Sequence, residues 1–169
     1  YNRWLYARKQ DCLESLLHAD EVRGKRVLDV GCGTGFFVRW FSERGAALHG
    51  ADITDVSVAN LHQQFPQHQF TVADIGSSSF SIAGDFHIVN TWDVLYHIVD
   101  DEKHQTALRN LARAVAPGGR LILTDQLAGA GNVQPATHVR FRCLATYQKH
   151  LPELGLELQH LRPLYFKLN

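Results

Sequence analysis

The sequence predicts an α/β fold on a doubly wound, mostly parallel sheet, and three observations carry that prediction. Short apolar runs alternate with amphipathic segments in β-α-β-α order. A glycine-rich turn, Gly31-Cys32-Gly33-Thr34-Gly35, directly follows the first apolar run. Strands separated by helices pair in parallel, because a parallel connection needs a crossover long enough to hold a helix. With 169 residues and 45% hydrophobic content, the chain is sized for one domain around one core.

Taken in order, Arg26 to Val30 is the first strand. The glycine turn leads into a helix from Phe36 to Glu43, which Gly45 stops. Leu48 to Ile53 is the second strand. Thr54 or Asp55 then caps a helix running to about Phe65, where Pro66 ends the periodicity. Phe70 to Ile75 is the third strand, and a serine-rich turn, Ser77 to Ser81, follows it. Phe86 to Thr91, with a β-branched centre, is the fourth.

Asp100 or Asp101 opens the strongest helix, in which Ala107, Leu108, Leu111, Ala112 and Val115 recur at helical spacing. Pro117-Gly118-Gly119 breaks it, and Arg120 to Thr124 is the fifth strand. Leu127 to Thr137 reads as a glycine-rich loop, Cys143 to Leu154 as a helix, and Leu156 to Leu164 as a strand after Gly155. Doubly wound sheets bind ligands beyond the carboxyl ends of their strands, so the residues just after each strand are the ones to inspect.

Composition narrows the function. Seventeen basic residues balance seventeen acidic ones, so no basic stripe announces nucleic acid as a partner. Ten histidines are scattered without H-E-x-x-H or zinc spacing, and no metal is expected. Cys12, Cys32 and Cys143 are odd in number and far apart, which points to a reducing compartment without a disulfide framework. No apolar run reaches membrane-span length and the start lacks a signal-peptide layout, so a soluble, cytoplasmic protein with no membrane partner is expected. The absence of any Met predicts a chain trimmed at its N-terminus. Oligomeric state is not readable.

Val27-Leu28-Asp29-Val30-Gly31-Cys32-Gly33-Thr34-Gly35 is the most informative stretch. It closely resembles the first motif of the class I S-adenosylmethionine-dependent methyltransferases, small-molecule type, with a strand, an acidic residue and G-x-G-x-G in succession. Glycine gives access there: without Cβ atoms the turn bends sharply and its backbone approaches the ligand. A dinucleotide site would instead need G-x-G-x-x-G or A, and that third position is Phe36.

The resemblance covers about Arg26 to Asp125 and implies a Rossmann-like methyltransferase fold that binds S-adenosylmethionine and releases S-adenosylhomocysteine. Gly31, Cys32 and Gly33 then cradle the methionine part. Asp29 organises the loop and is an indirect partner of the ammonium group, whose direct acceptors are backbone carbonyls near Asn90 and Thr91. Asp52, about twenty residues beyond the turn, can accept hydrogen bonds from both ribose hydroxyls, or cap a helix. Ile53 offers an apolar surface to adenine. Asp74 accepts the adenine amino group while the Ile75 backbone reads a ring nitrogen; a turn-forming Asp is the alternative for Asp74.

Asn90-Thr91-Trp92-Asp93-Val94-Leu95-Tyr96-His97 corresponds to the family stretch beside the reacting methyl and resembles the hydrophobic-x-x-His form of small-molecule enzymes. The Asn/Asp-Pro-Pro-aromatic tetrapeptide of amide and nucleobase enzymes is missing, as is a Pro-Cys pair. His97 is the candidate general base if the acceptor must lose a proton; a backbone-bonding or capping role competes. Trp92, Tyr96, His138 and Arg140 are the candidate substrate contacts. In Thr137-His138-Val139-Arg140-Phe141-Arg142, alternation suggests a polar face for an acidic or sugar-like substrate, or a solvated edge.

The expected layout is an N-terminal helical lid over residues 1–25, a cofactor-binding core over 26–125 and a substrate-side portion over 126–169. In the lid Trp4, Tyr6, Arg8 and Lys9 either cover the cofactor, with Arg8 on its carboxylate, or pack as an ordinary amphipathic helix. The family sheet ends in an antiparallel pair, yet only Tyr165 to Asn169 follow Leu164, so the last strand is expected to be truncated, absent or cut off. The function expected is methyl transfer to a small molecule, oxygen slightly preferred over nitrogen. A nicotinamide-dependent oxidoreductase and a non-catalytic binding or scaffold domain are the alternatives.

Overall fold

The computed structural model describes residues 2–82 and 84–164. Five strands, β1 (Arg26–Val30), β2 (Ala47–Asp52), β3 (Gln69–Val72), β4 (Phe86–Thr91) and β5 (Val115–Leu123), form one sheet in the order β3-β2-β1-β4-β5. Every pair in it is parallel. The helices are α1 (Asn2–Glu14), α2 (Ala19–Val22), α3 (Phe36–Glu43), α4 (Asp55–Gln64), α5 (Asp101–Ala114) and α6 (Leu144–Glu153), with a 3-10 turn at Leu95–His97. The chain reverses its direction of strand addition between β3 and β4, so β1 and β4 flank the switch point where such sheets bind ligands.

Alternation along the central strand explains the two cores. Successive side chains point to opposite faces. Val27 packs with Phe37, Phe41, Val58 and Leu61 of α3 and α4 and with Leu13 of α1. Leu28 and Val30 pack with Leu108 and Leu111 of α5 and with Tyr147 and Leu151 of α6. Asp29 shares the phase of Val27 and is 2% exposed, a carboxyl where an apolar residue would be expected. Asp100 caps α5, its Oδ1 accepting from Lys103 N at 2.8 Å.

Several elements differ from the sequence reading, each for a structural reason. The third strand ends at Val72, because the Asp74 carboxylate closes a turn on Gly76 N at 2.8 Å and Asn110 of α5 takes the Ile75 and Ser77 carbonyls at 2.8 and 2.9 Å. The fifth begins at Val115, with Pro117-Gly118-Gly119 absorbed as a register shift against β4. From the expected loop 127–137 into the residues after it a hairpin forms, β6 (Val133–Ala136) antiparallel to β7 (Val139–Phe141).

The strand expected at Leu156 to Leu164 does not form. Leu158 and Leu161 stay exposed, and Leu156 and Leu164 pack on opposite cores, so the tail spends its apolar residues singly. Tyr165 to Asn169, where a shortened final strand was expected, lie outside the described residues. No helix among the described residues is long and apolar enough to cross a membrane.

Candidate functional site

At the carboxyl end of β1 the chain turns through Gly31, Gly33 and Gly35, with φ of 74°, 50° and 84°. Gly31 N and Cys32 N both donate to Ala51 O of β2, at 2.7 and 3.2 Å, which fastens the bend to the sheet. Gly31 and Gly33 need glycine for different reasons. A Cβ on Gly31 would overlap Val94 Cγ2, so this glycine permits close packing beneath the bend. A Cβ on Gly33 would meet only Gly31 O, at 3.8 Å, so the backbone of Gly33 fronts open space that a side chain would fill. Cys32 points inward, 6% exposed, and burial pushes its thiol pKa up, so the thiol is not poised as a nucleophile.

Asp52 ends β2 beside the bend. Its Oδ2 accepts from Gly33 N at 2.8 Å; its Oδ1 accepts from Thr54 N at 2.9 Å and from the Thr54 hydroxyl at 2.7 Å. The carboxylate therefore sets the glycine bend against the second strand, and Oδ2 keeps lone-pair capacity for a further donor. Thr54, expected as a helix cap, is the N-cap of α4 but bonds Asp52 instead of the helix N–H groups. Ile53 next to it is 68% exposed. Asp74 is exposed in its turn, and Ile75 is buried with its carbonyl bound by Asn110.

Beneath the bend lies a buried polar chain. Trp92 Nε1 donates to Asn90 Oδ1 at 2.6 Å, and Asn90 Nδ2 donates to Asp29 Oδ1 at 2.7 Å. Asp29 Oδ2 is buried with no partner among the described residues. Burial raises the Asp29 pKa to about 7, against the Asn90 hydrogen bond; the Asp52 charge adds to the rise.

A carboxyl whose folded pKa exceeds its unfolded value binds its proton more tightly when folded. The fold accordingly loses stability from this group as pH rises from about 4 to about 7. In Asp29→Asn, which keeps an acceptor for Asn90, that pH slope should flatten in urea unfolding between pH 5 and 8. An unchanged slope would remove Asp29 as its source.

Thr91 is fully buried, its carbonyl accepting from Thr124 N at 3.0 Å and its hydroxyl without a partner among the described residues. Trp92, expected as a substrate contact, is instead a core residue, 6% exposed and 4.6 Å from the Phe37 ring. Beyond it the backbone takes a positive φ at Asp93 (60°), and the Asp93 carboxylate forms an ion pair with Lys9 of α1. The N-terminal helix thus does reach the carboxyl edge of β4, but through buried Lys9. Arg8, the cation expected to reach, makes only a loose surface pair with Asp11 at 3.9 Å. Trp4 and Tyr6 are exposed, Tyr6 lying 4.6 Å from the ring of Phe36 at the start of α3.

His97 is exposed on the 3-10 turn. Its Nδ1 lies 3.3 Å from the His138 carbonyl, which can only accept; Nδ1 therefore carries the hydrogen and Nε2 is the ring atom able to take a proton. The His97 ring stacks at 6.3 Å on that of His138, at the β6-β7 turn, and lies tilted 4.4 Å from the Tyr96 ring. Sequence reading thus named three residues, Tyr96, His97 and His138, that the fold gathers at one place.

Arg140 leaves that group and pairs with Asp101 at 2.7 Å. Arg142 is 1% exposed, so a solvated edge is excluded for it. Asp125, just after β5, accepts a hydrogen bond from the Tyr147 hydroxyl of α6, and burial raises its pKa. No spacing rule signals the Lys9–Asp93 or Tyr147–Asp125 pairs, because tertiary packing alone makes them. Among the described residues no group of three or more His, Cys, Asp or Glu side chains could hold a metal ion.

Comparison with known proteins bears on this geometry. A family model for a methyltransferase domain matches residues 1–161. An O-methyltransferase of Aspergillus nomiae is 35% identical over 127 residues, covering 71% of this chain and 55% of that protein. A ubiquinone biosynthesis O-methyltransferase of Idiomarina loihiensis is 32% identical over 111 residues, covering 63% and 44%. Among solved structures, magnesium protoporphyrin IX methyltransferase of Synechocystis PCC 6803, with bound S-adenosylmethionine, shares the fold at a TM-score of 0.71 and 23% identity, covering 95% of this chain and 76% of that one. The chain spans about half the length of the curated relatives it matches.

Proposed function

The chain belongs to the class I S-adenosylmethionine-dependent methyltransferases, and from that premise we propose that it transfers the donor's methyl group to an oxygen of a small molecule, releasing S-adenosylhomocysteine. The observation that carries the reading is the open space in front of Gly33, beside the Asp52 carboxylate that holds the Gly33 N–H, with the Asp29 carboxyl at the end of β1 buried and one of its oxygens without a partner among the described residues. Those features fit the donor: a backbone free of side chains for its amino-acid part, a carboxylate for its ribose, and a buried carboxyl at the end of β1 for its ammonium side. The bound sulfonium supplies an already activated methyl that leaves by in-line displacement.

The protein's own residues position and exclude water. In this reading Gly31, Cys32 and Gly33 shape the cradle. Asp29, through Asn90, holds the β4 end where the Asn90 and Thr91 carbonyls meet the ammonium; Ile53, Asp74 and the Ile75 backbone flank the adenine. Residues 1–25 act as the lid, latched by Lys9 on Asp93, over a 26–125 core and a 126–169 substrate side. Tyr96 and His138 contact the acceptor, Trp92 acts from the core by orienting Asn90, and Arg140 contributes charge from the hairpin. The names of the two relatives favour oxygen as the acceptor atom. The three free cysteines fit a reducing compartment such as the cytoplasm.

His97 Nε2 takes the acceptor proton. His97→Ala should lower kcat by about 100-fold, the usual contribution of a positioned base, while leaving donor affinity unchanged. The test is transfer of labelled methyl from S-adenosylmethionine across a panel of phenols, hydroxy acids and amines. Turnover on hydroxyl acceptors is expected; tight NADH binding with no response to the methyl donor would overturn the proposal, and normal turnover in His97→Ala across pH would remove the base.

A further inference from the structure

Asp29 is the register partner of Asn90 on the neighbouring parallel strand, and the Asn90 amide is oriented from its other side. The Trp92 indole N–H can only donate, so it takes Asn90 Oδ1 and turns Nδ2 toward Asp29. Asn90 therefore offers Asp29 Oδ1 a donor whatever the charge of the carboxyl. Oδ2, buried without a partner among the described residues, is the oxygen left to carry a proton.

A buried carboxyl keeps its proton unless a cation stands near enough to replace it. The groups that face Asp29 supply no uncommitted one. From β2 comes Asp52, whose negative charge opposes a second one beside it. From the glycine bend comes Cys32, whose thiol is held protonated by burial and then by the two carboxyls. β4 and the residue after it bring neutral Asn90 and Trp92. Lys9 of α1 is committed to Asp93. On this face of the sheet α3 and α4 present apolar Phe37, Phe41, Val58 and Leu61. That surrounding is why burial, ahead of any charge, lifts the Asp29 pKa to about 7.

We propose that Asp29 trades its proton for the ammonium of the methyl donor, so that it is the residue by which the site recognises a ligand carrying an amino-acid part. The inference rests on the donor site proposed above. Asp29 is a neutral acid until the ammonium settles at the Asn90 and Thr91 carbonyls. The O–H bond at Oδ2 then breaks, the proton leaves to solvent, and the carboxylate becomes the counter-charge of the ammonium. Adjacent strands lie about 4.8 Å apart, so a charge held at the end of β4 acts on Asp29 across a short, poorly screened path. The sign follows from linkage. At acid pH the donor must displace a proton that the folded chain holds tightly, so its affinity rises as pH climbs toward 7. A ligand with the nucleoside but no ammonium leaves the proton in place.

The test is titration calorimetry of the full chain with S-adenosylmethionine and with S-adenosylhomocysteine, in two buffers of different ionisation enthalpy. The range is pH 5.5 to 7, below the pKa of about 7.7–8.0 at which an α-amino group loses its charge. Release of roughly one proton per ligand bound is expected at pH 6, with donor affinity about ten-fold tighter at pH 7 than at pH 5.5. Methylthioadenosine, which keeps the nucleoside and lacks the amino acid, should bind without releasing it. In Asp29→Asn the release should vanish and the affinity should be level across this range. Binding of the donor to the native chain with no proton released at pH 6 would overturn the inference by itself, whether or not the variant folds. Equal release on binding methylthioadenosine, or release that persists in a folded Asp29→Asn chain, would overturn it too. Failure of the donor to bind at any pH would instead remove the donor site, and this inference with it.

Discussion

Gly31→Val should destabilise the fold by about 2–5 kcal/mol, the largest stability loss expected from a single change at the site. Two costs add. A side chain held at φ 74° pays roughly 1–2 kcal/mol for left-handed backbone. Forcing atoms into space that Val94 fills costs about 1–3 kcal/mol more, since β-branched Val94 has few rotamers by which to retreat. Gly31 N is also fastened to Ala51 O, so the bend cannot swing away without breaking its tie to β2. Urea unfolding measures the loss; a change under about 1 kcal/mol would mean that the bend relaxes and that its close packing is incidental.

Gly33→Val separates binding from folding. The backbone strain is of the same kind, at φ 50°, but the nearest atom to a new Cβ is Gly31 O at 3.8 Å, so stability should fall by only about 1–2 kcal/mol. Affinity for S-adenosylmethionine should fall by at least about 100-fold, or roughly 2.8 kcal/mol, because the added methyls occupy the space that the donor's amino-acid part needs. A folded Gly33→Val chain that binds the donor as tightly as the native one would place the cradle elsewhere. The two glycines, two residues apart, thus carry opposite signatures: Gly31 mainly stability, Gly33 mainly affinity.

What the sequence disclosed and what it concealed follow from whether a signal is local. β1 was legible because both faces of a central parallel strand are covered, giving the apolar run Val27-Leu28 and Val30, interrupted by Asp29, before the glycines. Asp52 was legible by its spacing from that turn and by the strand before it. The β6-β7 pair was not. Pro135 cannot donate to a ladder, and Asn132 and Gly131 read as turn residues, so only tertiary contact with the Leu95–His97 segment reveals the hairpin.

The third strand was read too long because Ala73 and Ile75 are apolar, whereas the Asp74 turn and the reach of Asn110 from α5 end it early. At Leu156 to Leu164 leucines recur after Gly155, but a strand needs a partner ladder, and Leu158 and Leu161 find no face to cover. In the site, Lys9 and Asp93 are 84 residues apart, and Arg142 is 41 from Asp101; no pattern in a single sequence pairs them. The arginine that looked like surface proves to be the most buried large side chain of its kind, because the hairpin folds it under α5's first turn.

Titration calorimetry of S-adenosylmethionine into the native chain and into Asp52→Ala bears most directly on whether the donor lies along the glycine bend. The account predicts saturable binding by the native protein and a loss of about 1–3 kcal/mol in the variant, the worth of charge-assisted hydrogen bonding to the ribose. Equal affinity in an Asp52→Ala chain whose circular dichroism matches the native spectrum would contradict it.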